Sequence, residues 1–341
     1  MTSRERMLAA FNFSNPDKIP VYYHPSTAGL YTHGRKLLDL FNAYPPDNPI
    51  TFDKIPQPAA NTFDKDGSYH EISKDPWGTT WEYRIFGVAG HPKEYPFRNW
   101  DEAKDYQFPP IPAIGSPEFA KAKVRVDELK KRYLLIEGWF NMFEKLHALR
   151  PFDEVLVGLA THEEDLLAFL DRLVDYYVKG IEYDIARGVD VIMLGDDWGT
   201  QTGPIISPAL WREVFRPQLK RMFDPIKKAC RRIFYHSCGN IGPMFDELAD
   251  LGINGFWHQV ALYDTEAFAK KCRERRITVY IHPDRQRLIP LGTPKDIDRQ
   301  IKAYADLYHK MGGGGILYVE MENDAPFANV EALVKAVHKY R

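Results

Sequence analysis

Residues 232–252, RIFYHSCGNIGPMFDELADLG, carry the reading that decides the fold. RIFYHSCG reads as a short apolar strand, and GPMFDELADLG as the helix that follows it. On the extended part, His236 and Cys238 project to the same side, because strand side chains alternate with a period of two.

The same strand-then-helix beat extends in both directions. Upstream, VDVIMLGDD (189–197) is a buried strand, and the helix after it opens at Ser207-Pro208 and runs to about Ala229. Before that strand, the segment from Phe152 carries two helical stretches. Thr161 with Glu164 predicts a capping box. Leu166, Leu170, Leu173, Val174, Tyr177, Ile181 and Ile185 form one apolar stripe that Gly188 ends. Earlier strands are KIPVYYHP (18–25) and YLLIEGWF (133–140). Downstream come strand GFWHQV, helix TEAFAKKCRERR, strand TVYIHPD, a helix from Thr293-Pro294 to Met311, strand GGILYVEME and a closing helix NVEALVKAVHKYR.

Strands alternating with crossover helices require a parallel sheet covered on both faces. No G-x-G-x-x-G follows a strand and opens a helix, which argues against a dinucleotide-binding open sheet. Equal beats over 341 residues predict an α/β fold, a (β/α)8 TIM barrel forming one domain over 1–341. Residues 26–131 break the rhythm with Pro, Gly and aromatics. They are expected to form an aromatic-rich insertion over the barrel mouth, with some helix and hairpin.

Composition narrows the function. Lys+Arg 45 against Asp+Glu 47 gives a net charge of −2, so no nucleic-acid or anionic-membrane partner is expected. The first twenty residues lack the apolar core of a signal peptide, and no run reaches the length of a membrane helix. Cys230, Cys238 and Cys272 lack disulfide-framework spacing, which predicts a reducing, cytoplasmic setting. Aromatic residues are unusually frequent at 13%, many of them in VYYHP, DPWGTTWEYRIFG and YPFRNW; they serve packing or wall an apolar ligand.

Barrel enzymes place their chemistry at the C-terminal ends of the strands. Those ends supply Tyr23 and His24, Glu137, Asp196 and Asp197, His236 and Cys238, His258 and Gln259, His282 and Asp284, and Glu320 and Glu322. Thiolate plus imidazole suits Zn²⁺, which takes three protein ligands and an open position when catalytic. Cys230 ends a helix at the far face and Cys272 lies inside one. The third ligand to His236 and Cys238 is therefore expected to be one of Glu320 or Glu322.

Four blocks add a family likeness: TSRERMLAAFNFSNPDKIPV, LGDDWGTQTGPIISPALWREVFRPQLKRM, YHSCGNI and PLGTPKDI. In this order they resemble the uroporphyrinogen decarboxylase superfamily, whose fold is a (β/α)8 barrel. The superfamily's decarboxylases are metal-free and carry an arginine-rich segment after the first strand. VYYHPSTAGLYTHGR lacks it, and a porphyrinogen with many carboxylates needs several cationic partners. The cobalamin-dependent methyltransferases of the superfamily bind zinc through H-x-C and a distant third ligand, and His236 and Cys238 match that pair. Relatives acting on a thiol carry a cysteine at the third place, where this chain reads EME (320–322).

The resemblance therefore implies a zinc-dependent methyltransferase of O-demethylase type, moving a methyl group from a small methylated, best an aromatic methoxylated, donor to a corrinoid (cobalamin) on a partner protein. Asp196, Asp197, His258 and His282 are the residues expected to orient substrate or supply a proton. A metal-free decarboxylase of a porphyrinogen or smaller acid is the alternative. Homodimerisation is left open.

Overall fold

The computed structural model describes residues 1–50 and 53–341; Thr51 and Phe52, inside the 26–131 segment, lie outside the described residues. The chain opens with α1 (Ser3–Asn12), β1 (Val21–Pro25) and α2 (Thr27–Ala43). Next come β2 (Glu71–Lys74), β3 (Thr80–Tyr83), β4 (His91–Glu94) and α3 (Pro117–Lys130). The beat then sets in with β5 (Ile136–Phe140), α4 (Phe143–Leu149), α5 (Phe152–Thr161) and α6 (Glu164–Arg187). It continues through β6 (Val191–Gly195), α7 (Pro208–Lys228), β7 (Arg232–His236), α8 (Gly242–Leu251), β8 (Gly255–Trp257) and α9 (Thr265–Glu274). It ends with β9 (Thr278–Ile281), α10 (Leu288–Leu291), α11 (Pro294–Met311), β10 (Gly315–Met321) and α12 (Phe327–Tyr340).

Seven parallel strands curl together in the order β1-β10-β9-β8-β7-β6-β5, and β2–β4 form a separate antiparallel sheet. This is a barrel of (β/α)8 type in which, among the described residues, no strand lies between β1 and β5. The outer edge of β1 is satisfied differently. Asp47 Oδ2 accepts the Val21 N–H at 2.9 Å, the Asp47 N–H donates to Val21 O at 2.7 Å, and Asn48 bonds both backbone groups of Tyr23. The local sequence YPPDNP explains why side chains replace a ladder here: Pro45, Pro46 and Pro49 have no N–H to give a central strand. We call this gap the seam.

Alternation sorts each strand into an inner and an outer face. The inner face carries Tyr22 and His24 on β1, Phe234 and His236 on β7, Trp257 on β8, Tyr280 on β9, and Ile316, Tyr318 and Glu320 on β10, in matched register. Met7, Ala10 and Phe11 of α1 pack on the lower residues of this stack, including Phe234 and Ile316, and close the N-terminal end. The larger core lies between the outer faces and the helices.

Most element limits follow the sequence. Ser207 caps α7 through the Leu210 N–H, Thr293 and Asp296 form a capping box for α11, and Gly188 ends α6 in the left-handed region. Thr161 does not. It is the last residue of α5, with its hydroxyl donating back to Val157 O at 2.9 Å, and α6 starts without a side-chain cap. Val155, Gly158 and Leu159 are buried, so packing carries α5 through the position that a local motif reads as a start.

Candidate active site at the barrel mouth

The inner face of β7 ends at His236, and the chain then turns sharply at Gly239. That glycine has φ +76°, and a Cβ there would sit 2.1 Å from the Gly199 backbone. The Asn240 N–H donates to Thr200 O at 2.8 Å, and the Cys238 N–H to Asp197 Oδ1 at 3.0 Å. The loop after β6 and the loop after β7 are thus tied together, with Asp197, His236 and Cys238 side by side.

Their ligand atoms lie within 4.8 Å of one another, the one such His/Cys/carboxylate cluster among the described residues. Nδ1 of His236 lies 3.0 Å from the carbonyl oxygen of Trp257, which can only accept. The proton of the neutral ring is therefore on Nδ1, and Nε2 presents a lone pair. That lone pair faces Asp197 Oδ1 at 3.2 Å and Cys238 Sγ at 3.5 Å. One nitrogen, one sulfur and one oxygen donor, the sulfur once deprotonated, make a set that fits zinc. Burial, and after it the Asp197 charge, push the Cys238 thiol up to about 12. Burial alone would raise Asp197, but a protonated His236, donating from Nε2 and carrying its charge, outweighs burial and brings the carboxyl down to about 2.

Around this cluster lies a cavity of about 660 Å³ to which Tyr22, Trp139, Trp257, Tyr280 and Tyr318 contribute aromatic surface. Trp257 lies against the His236 ring at 4.0 Å between centroids, and Trp139 approaches it at 5.5 Å. Tyr22, Tyr280 and Tyr318 pack together as the floor. Trp139 reaches the cavity through an irregularity in β5. Gly138 adopts φ +98°, and the register with β6 slips between Glu137 and Phe140, so the side chain that follows turns inward and Phe140 packs outward on Tyr177. Of the early aromatics, Tyr22 and Tyr23 line the cavity, whereas Trp77, Phe97 and Trp100 pack on Tyr176 and Phe169 of α6.

The other expected residues fall in different places. Asp196 is fully buried and accepts the N–H groups of Met142 and Glu144, at 2.8 and 2.9 Å; it anchors the start of α4. His282 closes the inner ring, accepting from Trp257 Nε1 at 3.3 Å and facing Glu320 Oε2 at 3.3 Å. His258 is on the outer face of β8, stacked on Phe256 and packed by Tyr263 and Phe268, away from the cavity. Glu320 is on the inner face, held by Arg285 at 3.1 Å, while the other end of that guanidinium lies 3.6 Å from Cys238 Sγ. Glu322, past the end of β10, is hydrogen-bonded to Ser26.

Three charged cavity residues were not among the expected site residues: Arg125, Glu144 and Arg285. Glu144 follows the end of β5 within four residues, which is the signal that could have found it. Burial and the Asp197 charge raise its carboxyl to about 6. Arg285 lies just beyond His282, in a loop whose path the sequence does not reveal.

Among the described residues no helix is long and apolar enough to cross a membrane. A comparison with curated protein sequences finds no match. Among solved structures, a methyltransferase from Methanosarcina mazei aligns with all of this chain and 99% of its own, at 18% identity and a TM-score of 0.60. A xylanase from Gloeophyllum trabeum aligns with 69% of this chain and 82% of its own, at 12% identity and a TM-score of 0.42. A dihydropteroate synthase from Xanthomonas albilineans covers 54% of this chain and 58% of its own, at 12% identity and a TM-score of 0.31. The first of these shows a shared fold over the full length. The profile of the uroporphyrinogen decarboxylase (URO-D) family matches residues 140–340, from the end of β5 through the end of α12 and including every donor of the cluster, and the chain belongs to that family.

Proposed function

We propose that this protein is a methyltransferase that takes a methyl group from a small methoxylated aromatic and delivers it to the reduced cobalt of a corrinoid held by a partner protein. The observation that carries this reading is the convergence of His236 Nε2, Cys238 Sγ and Asp197 Oδ1 on the wall of an aromatic cavity at the barrel mouth. The full-length fold likeness to the Methanosarcina mazei methyltransferase supports it.

His236 and Cys238 would hold zinc, with a carboxylate as third ligand. Asp197 already faces both, whereas Glu320 is engaged by Arg285 and Glu322 by Ser26. Zinc bound there would act as a Lewis acid on the ether oxygen of the donor. The protein supplies the rest. Trp139 and Trp257, 6.3 Å apart between centroids, form a corner with the His236 ring against which a flat substrate would lie. Glu144, raised to about 6 by burial and the Asp197 charge, keeps a proton available for the departing phenolate oxygen. Asp196 fixes the backbone of Glu144 and so its approach. A porphyrinogen decarboxylase is less well supported, since the arginines lining the cavity, among the described residues, are Arg125 and Arg285 alone.

Metal analysis and a coupled assay test the reading. Stoichiometric zinc is expected in the purified protein and lost from His236→Ala and Cys238→Ala. Asp197→Ala, Glu320→Ala and Glu322→Ala then identify the third ligand by which of them loosens zinc. Methoxyarene demethylation is expected only with a Co(I) corrinoid protein present. Zinc retained in both of the first two variants, or turnover without corrinoid, overturns the proposal.

A further inference from the structure

The cavity has two ends. One is the mouth, where the His236–Cys238 cluster lies. The other is the seam, and the residues lining it there are Asn48, Pro49, Ile50, Arg125, Leu129 and Leu135. A closed eight-stranded barrel would have a strand at this position, and its side chains would fill the interior. Here the backbone of β1 is capped by Asp47 and Asn48, and the space between β1 and β5 is covered by α3 and by the loop at 48–50. Arg125 of α3 is solvent-exposed and lines the cavity as well, so the cavity reaches water at this end.

The charges of the cavity are unevenly matched. Glu137 pairs with Arg187 at 3.0 Å, Asp197 faces His236, and Arg285 is held by Glu320. Among the described residues Arg125 makes no ion pair and no hydrogen bond, although its neighbours on α3 do: Lys123 pairs with Asp127, and Lys130 with Asp190. Guanidinium is a planar fork that matches a carboxylate with two parallel hydrogen bonds. Apart from Asn48, whose amide is taken up by the Tyr23 backbone, and Arg125 itself, the seam end is apolar, lined by Ile50, Leu129 and Leu135. An apolar slot ending in an unpaired arginine is shaped for an aromatic or unsaturated acid.

We propose that the seam is the anion-recognition end of this cavity. The substrate is then an aromatic methyl ether that also bears a carboxylate, bound with the acid at Arg125 and the ether toward His236 and Cys238. This rests on the methyl-donor reading above and adds the second anchor point.

Binding, measured without corrinoid, separates the two ideas. The probes are para-methoxybenzoate and para-methoxycinnamate, each against its neutral amide, titrated by calorimetry or by quenching of tryptophan fluorescence. The wild type is expected to prefer at least one acid over its amide by about tenfold, as a charge-assisted bidentate contact gives. Arg125→Ala abolishes that preference, and Arg125→Glu reverses it. Arg125 is exposed and bonded to nothing described, so neither substitution threatens folding. Equal binding of acids and amides by the wild type overturns the proposal. A preference that persists in Arg125→Ala does so too, and would move the anion to Arg285. If acids are preferred through Arg125 yet no methyl donor turns over with corrinoid, the seam proposal stands and the methyltransferase reading falls.

Discussion

His258 offers a quantitative test of the inner and outer faces. It sits behind β8, fully buried against Phe256, Tyr263 and Phe268, and its Nδ1 has no hydrogen-bond partner among the described residues. Burial, with a smaller contribution from the His236 charge, lowers its pKa from 6.5 to about 3. An imidazole that must stay neutral in the fold but can protonate in the unfolded chain gives full stability above pH 6.5. It loses that stability as the pH falls from there towards 3. At pH 5 the group lies about 1.5 pH units below its unfolded pKa, and at 1.36 kcal/mol per unit the loss is about 2 kcal/mol. At pH 7.5 it is close to zero. His258→Phe removes the titrating group while keeping an aromatic ring. Any packing cost of the larger ring is the same at both pH values and cancels in the comparison. Urea denaturation of both proteins at pH 7.5 and 5.0 is therefore expected to show the wild type losing about 2 kcal/mol more than the variant on acidification. Methyl transfer at pH 7.5 should survive the substitution. Parallel pH dependences, or a variant that folds but has no activity, would refute the placement of His258 outside the site.

Two further perturbations act on the cavity itself. Gly138→Ala puts a Cβ 2.9 Å from the Phe140 ring at φ +98°, and should cost about 1–3 kcal/mol in strain, read by thermal denaturation, with a loss of activity as Trp139 is misaimed. Trp139→Ala removes a ring that is 45% exposed on the cavity side, so stability and zinc content should change little. The Kd for a methoxyarene should rise about tenfold, corresponding to the roughly 1–1.5 kcal/mol of an aromatic contact; an unchanged Kd would remove Trp139 from substrate binding.

The fold was legible because its buried parallel strands read as unbroken apolar runs, such as VIML and IFY, separated by helices with clear ends at Ser207, Gly188 and Thr293. The seam was written in YPPDNP, where three prolines forbid a central strand, but an even βα beat invites the count to be completed to eight. At the site, H-x-C was readable because the two residues share a strand face. The same period, applied to GFWHQV, turns Trp257 inward and His258 outward, so treating both residues after the strand as mouth residues overlooks the alternation. Asp197 stood among the strand-end carboxylates, but its approach to His236 depends on how Gly199 and Gly239 let two loops touch. Trp139 and Arg285 depend on a slipped register and on a loop path, neither of which leaves a periodic trace.

The pairing of β1 with β10 has a consequence for how the molecule is made. Residues 21–25 find their ladder partner at 317–321, and α1 receives the Gly314 N–H on Ala10 O. A ribosome releases the first strand long before the last one exists, so β1 and α1 must wait through the synthesis of nearly the whole chain. During that interval Asp47 and Asn48, only about two dozen residues downstream, can already occupy one edge of β1. The seam that leaves the finished barrel without a strand thus also shields its first strand from foreign pairing while the other edge awaits β10.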